Sequence, residues 1–179
     1  MVTITRRQLI DLGFVLAQAE HIFKQPITGR FYYAATKNKA IAQEEHKLTQ
    51  EAYPESPDIV KYDQRRVAII NEVGETIKDG FSKLPVPERD AIINSSALTP
   101  EKRDGLVAKI AELDEEFKDV LEEFRKTDAQ RGEFLNETIE VDLKTVKPDD
   151  VPEIVEDAAK IMNSDGWKIY ASLEPMIKE

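Results

Sequence analysis

The segment TIEVDLKTV, residues 138–146, constrains the fold more than any other part of this chain. Its apolar and charged residues alternate strictly: Ile139, Val141 and Leu143 against Glu140, Asp142 and Lys144. A period of two predicts a β-strand with one face buried. A single strand leaves its backbone N–H and C=O groups without hydrogen-bond partners. The chain must therefore supply a second strand.

The second strand is predicted at the N-terminus, in the segment MVTIT. There Val2 and Ile4 alternate with Thr3 and Thr5. We therefore predict a two-stranded antiparallel β-ribbon that pairs the N-terminal segment with residues 138–144. A ribbon of this size is marginal alone and needs a helical layer beneath it.

The other segments repeat apolar residues every three or four positions, which predicts amphipathic helices. The expected helices cover residues 5–23, 30–52, 58–81, 88–94, 100–128 and 149–162. Pro26 and Gly29 mark a short turn, so the first two helices form an antiparallel hairpin. The predicted fold class is mainly α: this hairpin, two to three further helices and the ribbon. We expect one helical domain over residues 1–179, with a flexible segment at 83–99.

The clearest helix signal spans residues 100–128. Thr99 suits the cap and Pro100 the first helical position. Its apolar residues step by three or four and leave almost everything else charged: Leu106, Ile110, Leu113, Phe117, Leu121 and Phe124. This narrow seam is typical of a coiled-coil-like helix, and Gly132 is predicted to end it.

After residue 166, the apolar residues of the C-terminal tail are predicted to pack on the body: Trp167, Ile169, Leu173, Met176 and Ile177.

Composition excludes several classes of function. The chain has no cysteine, which excludes disulfides, thiolate zinc sites and cysteine nucleophiles and fits a cytoplasmic location. The net charge is −10, with an excess of three positive charges in residues 1–50 and of ten negative charges in residues 101–179. This distribution disfavours a whole-surface nucleic-acid binder. No apolar run reaches membrane-spanning length, so no membrane partner is expected.

The residue pattern also disfavours an enzyme. A carboxylate-bridged metal site in a helical bundle uses Glu-x-x-His pairs, but Gln18 precedes His21 and Gln43 precedes His46 at that spacing. The many Asp and Glu residues single out no catalytic pair, and no phosphate-binding glycine loop is present. We therefore expect no catalytic residue, no metal and no cofactor. A carboxylate-bound metal enzyme is kept as a third, disfavoured alternative.

Two groups of residues are candidate contact surfaces. The stretch TGRFYYAATKNK combines basic and aromatic side chains: Arg30, Tyr32, Tyr33, Lys37 and Lys39. Such a patch can clamp a nucleic-acid strand or an acidic protein, although packing of the aromatics on the first helix is the favoured interpretation. The second group is the acidic face of the 100–128 helix: Glu115, Glu116, Glu122 and Glu123.

Three stretches carry a family resemblance: ITGRFYYAATKNKAIAQEEHKL, LNETIEVDLKTVKPDDVPE and the ending LEPMIKE. In this order they resemble a family of small uncharacterised bacteriophage and prophage proteins. The resemblance implies a viral protein that acts inside a host cell or during particle assembly, and it transfers no catalytic residue.

The leading hypothesis is a non-enzymatic phage protein that works through protein–protein contact, as a host-directed accessory factor or an assembly factor. Assembly into a homo-oligomer is compatible with this hypothesis. The alternative is a nucleic-acid-binding module that uses the basic, aromatic start of the second helix.

Overall fold

A computed structural model describes residues 1–27, 29–95, 98–158 and 166–178 of the chain. Two units each have their own buried residues. Unit 1 consists of Met1–Pro54 and Ala129–Glu179, and unit 2 of Glu55–Asp128. The expectation of one helical domain over residues 1–179 stays a prediction.

The predicted ribbon is confirmed. Strand β1 (Val2–Thr5) pairs antiparallel with strand β2 (Thr138–Val141), with Val2 opposite Val141 and Thr5 opposite Thr138. Ile4 and Val141 are buried in the core of unit 1. Strand β2 ends at Val141, earlier than the predicted residue 144. The ribbon joins the N-terminal segment to a segment more than 130 residues later in the chain.

Helix α1 (Arg6–Ala17) begins directly after β1. The Thr5 hydroxyl accepts a hydrogen bond from the Gln8 backbone N–H at 3.1 Å, and the Gln8 side-chain oxygen accepts from the Thr5 N–H at 2.9 Å. This reciprocal capping fixes the helix start. The single helix predicted over residues 5–23 is broken at Gln18, and a short helix α2 (Ala19–Ile22) follows. The break lets the chain after α2 become extended and pair with residues near Ile154.

Helix α3 (Gly29–Ala52) completes the predicted antiparallel hairpin with α1. Near the turn, the Phe23 and Phe31 rings meet edge to face at 5.1 Å. Further along, Gly13 lies against Ala42, so close that a Cβ on Gly13 would be 2.6 Å from the Ala42 Cβ. Small residues at this contact let the two helices approach closely. The residues of α3 that are buried on this side are Phe31, Ala34, Ala35, Asn38, Ala42 and Thr49.

Asn38 is fully buried and pairs with the backbone of Lys144. Its side-chain N–H donates to the Lys144 carbonyl at 2.8 Å, and the Lys144 N–H donates to the Asn38 side-chain oxygen at 2.8 Å. The Asn38 side chain thus forms the two backbone hydrogen bonds with Lys144 that a neighbouring strand would otherwise form. Two further residues along, Val146 forms a parallel bridge with Ile177.

The helix predicted over residues 149–162 is wrong for residues 149–157. Only a single 3₁₀ turn is present, Pro148–Asp150, and the chain then extends so that Ile154 pairs with Phe23. The Lys24 N–H donates to the Glu153 carbonyl at 2.8 Å, and the Val155 N–H donates to the Ile22 carbonyl at 2.9 Å. Pairing with the chain after α2 therefore replaces the local helix. Residues 159–162 of this prediction lie outside the described residues.

The C-terminal tail packs on unit 1 as predicted. Helix α8 (Gly166–Leu173) is followed by a 3₁₀ turn, Glu174–Met176. Ile169, Leu173 and Met176 are almost completely buried, and Ile177 is partly buried against the same core. The side chain of Trp167 lies outside the described part of the chain.

Unit 2 is built from helices α4 (Pro57–Glu75), α5 (Val86–Ile93) and α6 (Pro100–Glu116), with the first part of α7 (Lys118–Asn136). Its core joins α4 to α6 through Val73, Leu98 and Leu106, with isoleucines around them. Helix α4 stops at Glu75, before the predicted residue 81. The Glu75 carboxylate accepts hydrogen bonds from the Gly80 and Ser82 backbone N–H groups, both at 2.8 Å. This interaction closes a loop that continues into a 3₁₀ turn, Phe81–Lys83.

The predicted helix over residues 100–128 is two helices. Thr99 caps α6 as expected, but the helix breaks at Phe117, and α7 continues past Gly132 to Asn136. At the break, the Phe117 ring lies 5.7 Å from the Tyr62 ring of α4. Gly132 does not end α7, because one glycine lowers helix propensity by only about 1 kcal/mol.

Replacement of Asn38 by alanine tests whether its hydrogen bonds to the Lys144 backbone stabilise the fold. Asn38→Ala leaves the N–H and C=O groups of Lys144 without their partner, so we expect the free energy of unfolding to fall by about 2–4 kcal/mol. Gln43→Ala removes an exposed amide from the same helix, and we expect a change within about 0.5 kcal/mol. Urea denaturation followed by circular dichroism measures both. Equal, small effects would contradict the bonding role of Asn38.

Two helical glycines of unit 2 form a matched pair. A Cβ on Gly74 would lie 2.2 Å from the buried Phe81 ring, whereas nothing lies within 4 Å of a Cβ on Gly105. We expect Gly74→Ala to lower the free energy of unfolding by about 1–3 kcal/mol. Gly105→Ala should raise it by about 0.5–1 kcal/mol, since alanine is the better helix former. Chemical denaturation measures whether the free energy of unfolding changes in opposite directions in the two variants. A stabilised Gly74→Ala protein would contradict the close contact between Gly74 and Phe81.

Candidate functional site

The five basic and aromatic residues at the start of α3 lie on two different sides of the helix. Each residue advances about 100° around a helix axis. Tyr32 and Lys39 therefore share one side, and Arg30, Tyr33 and Lys37 share the other. The buried face of α3 separates the two sides. The sequence predicted one patch, and the helix divides it.

We call the side of α3 that carries Arg30, Tyr33 and Lys37 the opposite flank. The Lys37 ammonium lies 5.9 Å from the centre of the Tyr33 ring. Arg30 pairs with Asp150 at 3.8 Å, and nearby Lys144 pairs with Asp142 at 2.8 Å. Hydrogen bonding and attraction from Asp142 raise the pKa of Lys144. Carboxylates from residues 142–150 thus offset positive charge on this side.

The side of Tyr32 opens into a groove of about 290 Å³ between α1, α2 and α3. Its apolar floor is formed by side chains that are almost fully buried: Leu16, Ala19, Phe31 and Ala35. Its other lining residues are Ala17, Glu20, Ile27, Tyr32, Thr36 and Lys39. The Thr36 hydroxyl donates to the Tyr32 carbonyl at 2.9 Å and is thereby oriented. The groove therefore combines an apolar floor with one carboxylate and one ammonium group on its rim.

The surface beside the groove continues along the hairpin. Tyr32, Lys39 and His46 lie seven residues apart, which is two helical turns, and so follow one side of α3. The His46 ring meets Phe14 of α1 edge to face at 5.3 Å. Phe14 is 52% exposed and Tyr32 is 57% exposed. We call Phe14, Tyr32, Lys39 and His46 the hairpin face.

Sequence reasoning missed Phe14 and His46 as surface partners. Phe14 stands outside the apolar stripe of α1, which is formed by Leu9, Leu12 and Leu16. A large aromatic residue outside the buried stripe of an amphipathic helix is an exposed apolar group, and it forms a patch only where other apolar groups lie beside it. For His46, the failed Glu-x-x-His spacing favoured a surface or packing role over a metal ligand, but the sequence did not show which residue it contacts. Its contact with Phe14 gives it a packing role on the surface.

The predicted acidic face of the 100–128 helix is interrupted by the break at Phe117. Glu115 and Glu116 end α6, whereas Glu122 and Glu123 lie in α7. Glu116 forms two hydrogen bonds with Arg65 of α4, one of them 2.7 Å long. These bonds, followed by the attraction of Arg65, lower the pKa of Glu116. Glu115 pairs with Lys118 at 3.6 Å.

Glu122 and Glu123 are exposed. The four glutamates therefore do not form one continuous, unpaired acidic surface.

Other kinds of site have little support in the part of the chain that the structure describes. There, no group of three or more His, Asp or Glu side chains is placed to hold a metal ion. No described helix is both long and apolar enough to cross a membrane. The groove volume lies at the lower limit of small-molecule pockets, which span about 300–1,000 Å³. Its size and apolar floor suit one large side chain of another protein.

Comparisons with protein-family models, with curated proteins and with solved structures found no match. The chemistry of the hairpin face and the groove therefore carries the functional argument.

The pairing of Glu116 with Arg65 gives a testable pH dependence. We expect the Glu116 carboxyl to titrate below its ordinary pKa of 4.5, and Arg65→Gln to return its pKa towards that value. A carboxyl whose pKa is lowered by folding adds stability above its ordinary pKa and loses it as the pH falls through the lowered value. Carboxyl NMR titration measures the pKa, with Arg66→Gln as the neighbouring control. An unchanged titration of Glu116 in Arg65→Gln would contradict the pairing.

Proposed function

We propose that this chain is a non-enzymatic protein that acts by binding another protein. The observation that carries the proposal is the hairpin face with its groove. Exposed aromatic side chains beside a small apolar pocket are typical of the few residues that dominate binding energy in protein interfaces. Phe14 and Tyr32 provide large contact area, and the groove provides a place for a partner side chain.

Protein contact is favoured over nucleic-acid binding by the arrangement of charge. Affinity for nucleic acid depends on basic groups that neutralise phosphates. Arg30 pairs with Asp150 on the opposite flank, and Glu20 lines the groove beside Tyr32. Arg30 thus has a carboxylate close to it, and Lys39 has one on the same groove. The stacked Tyr33 and Lys37 pair is the feature that supports the alternative.

The biological setting is proposed from sequence alone. Resemblance of three segments to bacteriophage and prophage proteins supports a phage protein, either a host-directed accessory factor or an assembly factor acting in the host cytoplasm. The hairpin face is compatible with both roles, since each needs a stable contact with another protein. The neighbouring genes distinguish them: virion-assembly genes favour an assembly factor, and early-region genes favour a host-directed one.

Glu122 and Glu123 are retained as a secondary contact surface, because both are exposed in α7. Glu116 is less suitable, since Arg65 already occupies its carboxylate. The proposal therefore ranks the hairpin face first and the acidic residues of α7 second.

Tyr32 and Tyr33 allow a matched test of the proposed face. They are neighbours in α3, both 57% exposed, and lie on different sides of the helix. We expect Tyr32→Ala to weaken binding to the captured host or phage protein by about 10-fold or more, as for a central interface aromatic. Tyr33→Ala should leave that affinity almost unchanged. Affinity purification from phage-producing cells followed by titration of the identified protein measures both.

The opposite pattern would contradict the proposed face. If Tyr33→Ala abolishes binding and Tyr32→Ala does not, the opposite flank is the contact surface. A salt titration with single-stranded and duplex nucleic acid then tests the alternative function. Affinity that falls steeply with salt and is lost in Arg30→Glu with Lys37→Glu would establish nucleic-acid binding.

A further inference from the structure

We infer that the groove receives a large apolar side chain from a partner segment that also carries two opposite charges. The partner's carboxylate pairs with Lys39 and its cationic group with Glu20. This inference rests on the proposed function and specifies the partner's chemistry.

The size and lining of the groove determine the apolar part of the occupant. A volume of about 290 Å³ over a floor of Leu16, Ala19 and Phe31 accommodates a phenylalanine or leucine side chain. Burial of such a side chain contributes about 1.5–3 kcal/mol. The floor is uncharged and its side chains are almost fully buried, so a polar occupant would lose hydration without gaining a partner there. The occupant is therefore apolar.

The register of the hairpin determines where the two charges lie. Gly13 lies opposite Ala42, and the helices are antiparallel. Counting along α1 from that contact places residue 16 opposite Lys39, whereas Glu20 lies beyond the break at Gln18, in α2, next to the turn. The two charged residues therefore lie at different positions along the groove that both of them line. The carboxylate lies nearer the turn and the ammonium group further from it.

Neither rim charge has an ion-pair partner within residues 1–27, 29–95, 98–158 and 166–178. Glu20 is exposed and Lys39 is half-buried, so both can be reached from outside. An approaching segment with one charge sign would be attracted by one end of the rim and repelled by the other. A segment with both signs is attracted by both ends, which favours it over its singly charged competitors.

The probes are capped synthetic helical peptides with a central phenylalanine, tested on the full chain. One carries Lys four residues before the phenylalanine and Glu four residues after it, and a second has the reverse order. Two controls carry only Glu or only Lys, and a third has alanine in place of phenylalanine. Fluorescence anisotropy measures affinity, and NMR shifts of Tyr32 and Lys39 locate the binding.

We expect the better of the two mixed-charge peptides to bind about 10-fold more tightly than either singly charged peptide. Its alanine version should not bind. Lys39→Glu and Glu20→Lys should each weaken binding, and the double variant should bind the peptide of the reverse order. Lys37→Glu, on the opposite flank, should leave affinity unchanged. Circular dichroism confirms that each variant is folded.

Two results would overturn the inference: equal binding of a singly charged peptide, or absence of binding by all peptides at the groove. Neither decides the proposed function, because that depends on the effect of Tyr32→Ala on the natural partner. If Tyr32→Ala weakens the natural complex while the mixed-charge peptides show no preference, only the assignment of charges fails.

Discussion

The backbone of β2 and of the residues that follow it needs hydrogen-bond partners, and unit 1 is organised around supplying them. Strand β1 pairs with residues 138–141, and the Asn38 side chain pairs with Lys144. Val146 pairs with Ile177, and Ile154 pairs with Phe23. Unbonded backbone groups in such a buried position would be strongly destabilising. Most of these bonds join residues more than 100 positions apart, so they hold together the two stretches of chain that form unit 1.

This arrangement also decides which side of α3 is open. Residues 142–150 lie beside the opposite flank, where Asp150 reaches Arg30 and Lys144 is held by Asn38. The other side of α3 faces α1 and α2, where small residues such as Ala17, Ala19 and Ala35 leave the groove. The hairpin face is therefore open because the C-terminal segment bonds elsewhere on the hairpin.

Periodicity predicted the elements well, but not their ends. The ribbon and hairpin were correct because alternation and three-to-four spacing report directly on a buried face. The ends at Gln18, Glu75 and Phe117 were missed, since each is set by a contact distant in sequence or by a loop. Phe117 packs with Tyr62, and the Glu75 carboxylate bonds to the Gly80 loop. Residues 149–157 had helical spacing, yet bonding to the chain after α2 outweighed it.

The candidate site was likewise predicted only in part from the sequence. Arg30, Tyr32, Tyr33, Lys37 and Lys39 were recognised from composition, since they are close in sequence. Composition did not tell which of them share a side with Phe14 and His46, because those two residues approach only when α1 packs on α3.

The sequence by itself determined the mainly helical fold, the hairpin and the pairing of strands β1 and β2. Each follows from a repeating pattern within a short stretch of chain. Only the tertiary structure decided where helices break, which side chain forms hydrogen bonds with the Lys144 backbone, and which side of α3 is open. These features depend on contacts between distant residues, and no local pattern encodes the geometry of such contacts.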